Sequence, residues 1–300
     1  MITVRPSVPE DVPAQRELWK LAFGDSDQYI DNFYSTYYRP ERVILLEEDG
    51  AVRSMTAWFD TTFVVPGQGE HRTAYLYAVA TRPDCRGRGL AAALLAGADE
   101  YFCSLNIPAV TTVPAEKSLH DFFGSNGFQE CFRVLGTCYG SHELEKAPVP
   151  APDLLRPASP EEYGRVREAL LKDIPHIAYP PDALAYQAGC CALGDGGLFI
   201  GDASTGPMCL CAERASGELV ILKEFLYLGR PPLPELGGIW QNIAALLPAQ
   251  RWDLRQPRPA EFCVGVNEKL GRFGMLKWLD PALESAWDWD TVGYLGLAFD

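Results

Sequence analysis

The chain has 300 residues, enough for two domains of ordinary size. Apolar residues make up 47% of it and charged residues 22%, the balance of a globular protein with true cores. Its formal net charge of -14 repels a phosphate backbone, so nucleic acid is a poor partner, whereas a cationic acceptor such as an amine suits the field.

The chain opens on Met1-Ile2-Thr3-Val4-Arg5-Pro6, which lacks the basic start and apolar stretch of a secretion signal. No run of about 18 apolar residues reads as a membrane span either. A cytoplasmic protein is expected, with no membrane partner. After a short apolar run at residues 2–4, Pro9, Glu10 and Asp11 lead into a helix predicted over residues 9–23. Acidic residues there suit the positive end of its dipole. A second helix, over 27–38, carries Tyr29, Phe33, Tyr34, Tyr37 and Tyr38, with rings recurring at spacings of four. Strands over 42–48 and 51–60 are joined by Asp49-Gly50, a hairpin signal. A strand over 72–80, a helix over 89–103, a strand over 109–113 and a helix over 116–125 follow. Gly127-Phe128 then leads to two strands, over 130–135 and 137–143. The order is mixed α/β (α+β), antiparallel at first with a strand-helix-strand crossover in the middle.

Lys146-Ala147-Pro148-Val149-Pro150-Ala151-Pro152 reads as an extended linker. It places two domains at 1–146 and 153–300. Just past it, Arg156-Pro157-Ala158-Ser159-Pro160-Glu161-Glu162 repeats the pattern of Arg5-Pro6-Ser7-Val8-Pro9-Glu10-Asp11, and each segment precedes a helical pattern. The second half also offers an apolar strand over 219–229, a helix over 239–247 and a last strand over 294–300. Nine cysteines are scattered without a Cys-x-x-Cys pair, and there are four histidines. Zinc spacing is absent, no metal site is expected, and most of the thiols read as small buried hydrophobes.

The segment that carries chemistry runs from Tyr75 to Leu95. A strand ends near Ala80. Arg86-Gly87-Arg88-Gly89 then leads into a helix whose apolar stripe is Leu90, Leu94, Leu95, Ala98 and Phe102. A glycine turn at a helix N-terminus aims backbone N–H groups at one spot, and the dipole adds positive potential there. Glycines without a Cβ let a ligand approach. This is a pyrophosphate cradle, but not the Walker type, since no Gly-Lys-Ser/Thr follows. The glycine spacing also differs from the dinucleotide fingerprint.

The segment resembles the coenzyme A signature of the GCN5-related N-acetyltransferase (GNAT) superfamily, Arg/Gln-x-x-Gly-x-Gly/Ala, matched by Arg86, Gly89 and Ala91. The strand Leu76-Tyr77-Ala78-Val79-Ala80 and the later Phe122-Phe123-Gly124-Ser125-Asn126-Gly127-Phe128 are similar to the family too. The resemblance covers about residues 2–143. It implies a GNAT-type mixed central sheet flanked by helices and acetyl-CoA as the coenzyme. Ala78, Val79 and Ala80 would border the pantetheine, Arg86, Gly87, Arg88, Gly89, Leu90 and Ala91 would hold the pyrophosphate, and Phe123 would lie beside the coenzyme. The aromatic helix over 27–38 would border the acceptor. The second half reads as a degenerate GNAT-like copy, because Arg230-Pro231-Pro232-Leu233-Pro234 stands where a phosphate turn would be.

Phe123 departs from the family, whose tyrosine at that position donates a proton to the departing thiolate. Tyr139, Tyr75 and Tyr77 are substitutes for that acid, and His120 and Asp121 are candidates for the base. By resemblance to the enhanced-intracellular-survival acetyltransferases, the terminal Asp300 is another. The expected activity is acetyl transfer to a small-molecule or peptide amine. Two rivals stand beside it: a non-catalytic acyl-CoA-binding regulator, and an aminoacyl-tRNA-dependent transferase, which the acidic charge disfavours. The oligomeric state stays open.

Overall fold

The computed structural model describes residues 1–144, 154–229, 231–257 and 269–299. The proline linker at 146–152, Cys263 and Asp300 lie outside the described residues. The first half contributes, in chain order, β1 (Ile2–Pro6), α1 (Val12–Phe23), α2 (Asp27–Thr36), β2 (Val43–Glu48), β3 (Ala51–Val65), β4 (Gly69–Thr81), α3 (Leu90–Ser104), β5 (Ala109–Thr112), α4 (Lys117–Ser125), β6 (Gln129–Gly140) and α5 (Ser141–Leu144). The second half contributes β7 (Leu155–Pro157), α6 (Pro160–Leu171), β8 (His176–Ala178), α7 (Pro181–Leu193), β9 (Gly197–Ala203), β10 (Gly206–Arg214), β11 (Leu219–Tyr227), α8 (Leu233–Leu246), β12 (Arg251–Gln256), β13 (Lys269–Trp278) and α9 (Pro281–Ala286). Among the described residues no helix is long and apolar enough to cross a membrane.

Contacts divide the chain into two compact units rather than two consecutive blocks. The first is Met1–Val64, Gln68–Cys131 and Gly274–Thr291; the second is Val65–Gly67, Phe132–Phe273 and Val292–Asp300. In the first, the sheet order is β1-β2-β3-β4-β5-β13. β1 with β2 and β2 with β3 are antiparallel, β4 with β5 is parallel, and β5 with β13 is antiparallel. In the second, the order is β7-β9-β10-β11-β12-β6. There β7 with β9, β9 with β10 and β10 with β11 are antiparallel, β11 with β12 is parallel, and β12 with β6 is antiparallel. The second unit thus repeats the strand order of the first, and in each unit the last strand of that order is supplied by the other half of the sequence.

The repeat read at residues 5–11 and 156–162 persists in side-chain detail. Arg5 grips Asp11 through two bonds of 2.7 and 3.0 Å, and Arg156 grips Glu162 at 3.0 and 3.5 Å. Each acid also accepts the amide three residues before it, Val8 in one and Ser159 in the other. That accepted amide is half of a capping box and fixes the helix start.

In the first unit, α3 and α4 cover one face of the sheet. Leu90, Leu94, Leu95, Ala98 and Phe102 pack on Ile44, Leu46, Ala74 and Leu76 with Phe123 and Phe128 of the Gly-Phe turn. Lys277 of β13 bonds Asp99 of α3 at 2.5 Å and the Asn126 carbonyl at 2.8 Å, so it ties the middle of α3 to the end of α4. In the second unit a charged cluster is fully buried: Arg167 Nε lies 2.8 and 3.1 Å from the two oxygens of Glu224. Tyr163 donates to the same carboxylate at 2.6 Å. Other nitrogens of Arg167 donate to the carbonyls of Ile177 and Leu295, and Tyr179 donates to those of Leu295 and Leu297.

Several expected boundaries shift for physical reasons. The stretches expected as strands at 130–135 and 137–143 are one strand, β6, as far as Gly140, since Gly136 pairs with Arg255 and does not break the ladder, and residues 141–143 belong to α5. β3 runs on to Val65 where 51–60 was expected. α8 starts at Leu233 despite Pro231, Pro232 and Pro234, because proline is compatible with a first helical turn. The stretch expected as a strand at 294–300 forms only a bridge from Tyr294 to His176 within residues 294–299. Its carbonyls go to Arg167 and Tyr179 instead of a ladder.

Replacing Arg167 with Met would leave the Glu224 carboxylate buried without its guanidinium. The expected cost is about 3–5 kcal/mol of stability. Chemical denaturation followed by tryptophan fluorescence measures it; a change under about 1 kcal/mol would contradict the buried pair.

Candidate functional site

The site begins where two neighbouring strands part. β4 and β5 pair from Thr73↔Ala109 to Leu76↔Thr112, where β5 ends, but β4 continues to Thr81. One edge of the backbone beyond Leu76 therefore has no β5 residue to meet. Ala78 sits at φ 51° inside this stretch. An alanine in the left-handed region is held there by its surroundings and marks a local distortion of the strand. Ala78 and Val79 are half-buried and Ala80 is buried.

Past Thr81 the chain makes a tight turn. The Arg82 amide bonds the Arg53 carbonyl, the Cys85 amide bonds the Arg82 carbonyl, and the buried Cys85 side chain anchors the turn in the α3–α4 core. Arg86, Gly87, Arg88 and Gly89 form its exposed rim, and Leu90 is buried again. Gly87 and Gly89 have φ of 74° and 77°, and a Cβ added to either would meet nothing within 4 Å. Their need for glycine is thus conformational, and the space outside them is open to a ligand. Gly89 is the N-cap of α3, a helix of 15 residues whose first amides have no acceptor within the helix. Those amides and the dipole make an anion site at this end.

The arginines of the rim are already engaged. Arg86 donates from Nε to the Thr81 carbonyl at 3.3 Å. Arg88 binds both oxygens of Glu48, at 3.1 and 2.5 Å. This bond holds the Glu48 carboxyl below the usual carboxylate range. Arg82 pairs with Glu17 and Asp84.

The opposite face of the sheet meets α1 and α2. Tyr77 packs on Trp19 at 5.6 Å between ring centres, on Phe59 at 5.4 Å and on Phe33 at 6.4 Å. Its hydroxyl lies 2.9 Å from that of Tyr29 on α2. Tyr29, Tyr34, Tyr38 and Tyr77 remain half-buried, while Tyr37 and Tyr75 are buried. Burial pushes the Tyr34 hydroxyl well above the ordinary tyrosine range, so Tyr34 is a neutral hydrogen-bonding group. It donates to Gln15 at 3.0 Å.

The structure brings together Ala78, Val79, Ala80 and the 86–91 turn within the first unit; of the residues considered for proton transfer, Tyr75 and Tyr77 share β4 with them, while Tyr139 falls in the second unit. Phe123 is buried between Phe122 and Phe128 and is purely apolar. Tyr139 belongs to the core of the second unit, 4.3 Å from Trp240 between ring centres. His120 is directed to Glu130, with Nδ1 2.8 Å from the carboxylate. Asp300 lies outside the described residues. Sequence reasoning overlooked Glu48 and Arg53 beside the cradle. It also overlooked Lys277, whose partner Asp99 lies 178 positions away. Only the Asp49-Gly50 turn signalled that Glu48 ends a strand.

Residues 3–131 match a family model described as an acetyltransferase (GNAT) domain. No curated protein matches the chain in sequence. A GCN5-related N-acetyltransferase from Anabaena variabilis has a similar structure, with a TM-score of 0.70, 15% identity, and coverage of 93% of this chain and 73% of that one. A probable N-acyltransferase from Enterococcus faecalis gives a TM-score of 0.70, 14% identity and coverage of 93% and 73%. Eis1 from Mycobacterium abscessus gives 0.65, 12% and coverage of 93% and 74%. At these identities the likeness is one of fold.

Gly87→Ala and Gly89→Ala should each cost about 1–2 kcal/mol, the strain of a left-handed alanine, although neither methyl group has a neighbour to strike. Thermal unfolding reads this; unchanged stability would mean that the turn does not need its left-handed geometry.

Proposed function

We propose that the chain, which carries a GNAT acetyltransferase domain over residues 3–131, is an N-acyltransferase that moves an acyl group, acetyl in the first instance, from coenzyme A to a primary amine. The reaction runs by direct attack in a ternary complex, in the cytoplasm. The observation that carries this reading is the pairing of a strand that runs on to Thr81 past the end of its parallel neighbour with a left-handed glycine turn at the start of α3.

The residues fit the coenzyme on two counts. Open space outside Gly87 and Gly89 admits a pyrophosphate to the first amides of α3. The bare edge of β4 at Val79 and Ala80 can pair with an extended amide-bearing arm as a further strand would. When bound, the coenzyme supplies an activated thioester. The chain supplies position, and backbone N–H groups near Ala80 to polarise the carbonyl. The acceptor approaches from the α1–α2 side, where Tyr77 and Tyr29 offer hydroxyl groups among aromatic rings. A net charge of -14 favours a cationic acceptor. With Phe123 apolar, protonation of the thiolate falls to water or another group, a modest loss since one general acid contributes about 10²–10⁴-fold.

One observation favours a second reading. Phe123 offers no proton and His120 is engaged by Glu130, which suits a regulator that binds acyl-CoA without turnover.

A thiol-release assay with acetyl-CoA and a panel of diamines, polyamines, amino sugars and peptides separates the two. The transferase reading expects N-acetylated product in step with free thiol, and initial-rate lines that intersect. Parallel lines would contradict direct attack, and coenzyme binding without turnover on any amine would favour the regulator.

A further inference from the structure

Four arginines surround the cradle in a chain with only 26 Lys and Arg against 40 Asp and Glu. Arg82 is shared by Glu17 and Asp84, and Arg86 lies against a backbone carbonyl. The remaining two meet at one carboxylate. Glu48, the last residue of β2, takes the fork of Arg88 at 3.1 and 2.5 Å. Arg53 Nε, buried and without a hydrogen-bond partner, stands 3.6 Å from the same Oε2. The Arg53 carbonyl in turn receives the Arg82 amide at the start of the turn, so both guanidinium groups belong to residues that touch the cradle or form it.

We propose that Glu48 is an internal counter-ion that competes with the phosphates of the ligand for Arg88 and Arg53. This rests on the coenzyme reading above. Carboxylate and phosphate accept the same planar fork of an arginine. A phosphate that reaches Arg88 must displace Glu48, and Glu48 then faces it as a like charge. The side chain of Arg88 is 47% exposed, so the exchange needs no unfolding. An exposed ion pair of this kind is weak, within a factor of about five in equilibrium terms, so a phosphate can replace it. The cradle is thereby held to weaker coenzyme binding than its arginines would otherwise give, which suits release of the spent coenzyme.

The competing idea is that Glu48 is a strut that aims Arg88 at the ligand. The two differ in sign. Calorimetric titration of coenzyme A at low ionic strength, into the wild type and Glu48→Gln, decides between them. The counter-ion account expects about three- to ten-fold tighter binding in Glu48→Gln, a gain that shrinks at high salt and is reduced by adding Arg88→Gln. Glu48→Ala is the second variant should the first be poorly folded by thermal unfolding, with the same expectation. Unchanged or weaker binding in a folded Glu48 variant would overturn the proposal while leaving the coenzyme reading intact. A folded wild type that does not bind coenzyme A would overturn both.

Discussion

The first unit is organised by a mismatch in strand length. β4 runs to Thr81, while its parallel neighbour β5 stops opposite Leu76. Backbone amides and carbonyls cannot be left idle in an interior, so a bare edge must meet water, a side chain or a ligand. The half-buried stretch Ala78–Val79 and the buried Ala80 are followed by a turn whose two glycines take left-handed angles. The turn delivers the start of α3 to the same place, and the apolar stripe of α3 locks the helix onto β4 through Leu90, Leu94 and Leu76. Strand edge, helix N-terminus and open space are consequences of that one mismatch.

The second unit starts from the same topology and closes it. β11 also has a distortion beyond its parallel ladder, with an extra residue, Lys223, between the partners of Cys211 and Ala212. Lys223 is fully buried and pairs with Glu213, and the next residue, Glu224, is taken by Arg167. Tyr139, Phe225 and Trp240 fill the space beside β11. α8 is entered through prolines rather than left-handed glycines, and prolines carry no N–H for an anion. A frame that leaves a glycine turn open to the outside in one unit is occupied by its own side chains in the other.

What the sequence reveals follows from distance along the chain. The cradle is local: strand, Arg86-Gly87-Arg88-Gly89 and apolar stripe lie within twenty or so residues, and periodicity with glycine placement suffices to find them. The repeat at 5–11 and 156–162 is equally local, and its arginine–acid grips follow from spacing alone. Strand exchange is not local. Nothing near residues 269–278 says that they pair with 109–112, because an apolar strand fits either sheet. For the same reason Tyr139, offered by the sequence as a substitute for the acid missing at Phe123, has its ring in the second core. Ion pairs such as Lys277–Asp99 and Arg88–Glu48 depend on such pairings and stay hidden until the sheets are assembled.

The central claim is that the α3 turn and the β4 edge bind an acyl-CoA. Titration of acetyl-CoA into the protein and into a Gly89→Trp variant tests it most directly, since the indole would occupy the open space outside the turn. The account predicts saturable binding in the wild type that is lost in a folded variant. A folded wild type that takes up no acetyl-CoA, or a variant that binds as well as the wild type, would contradict it.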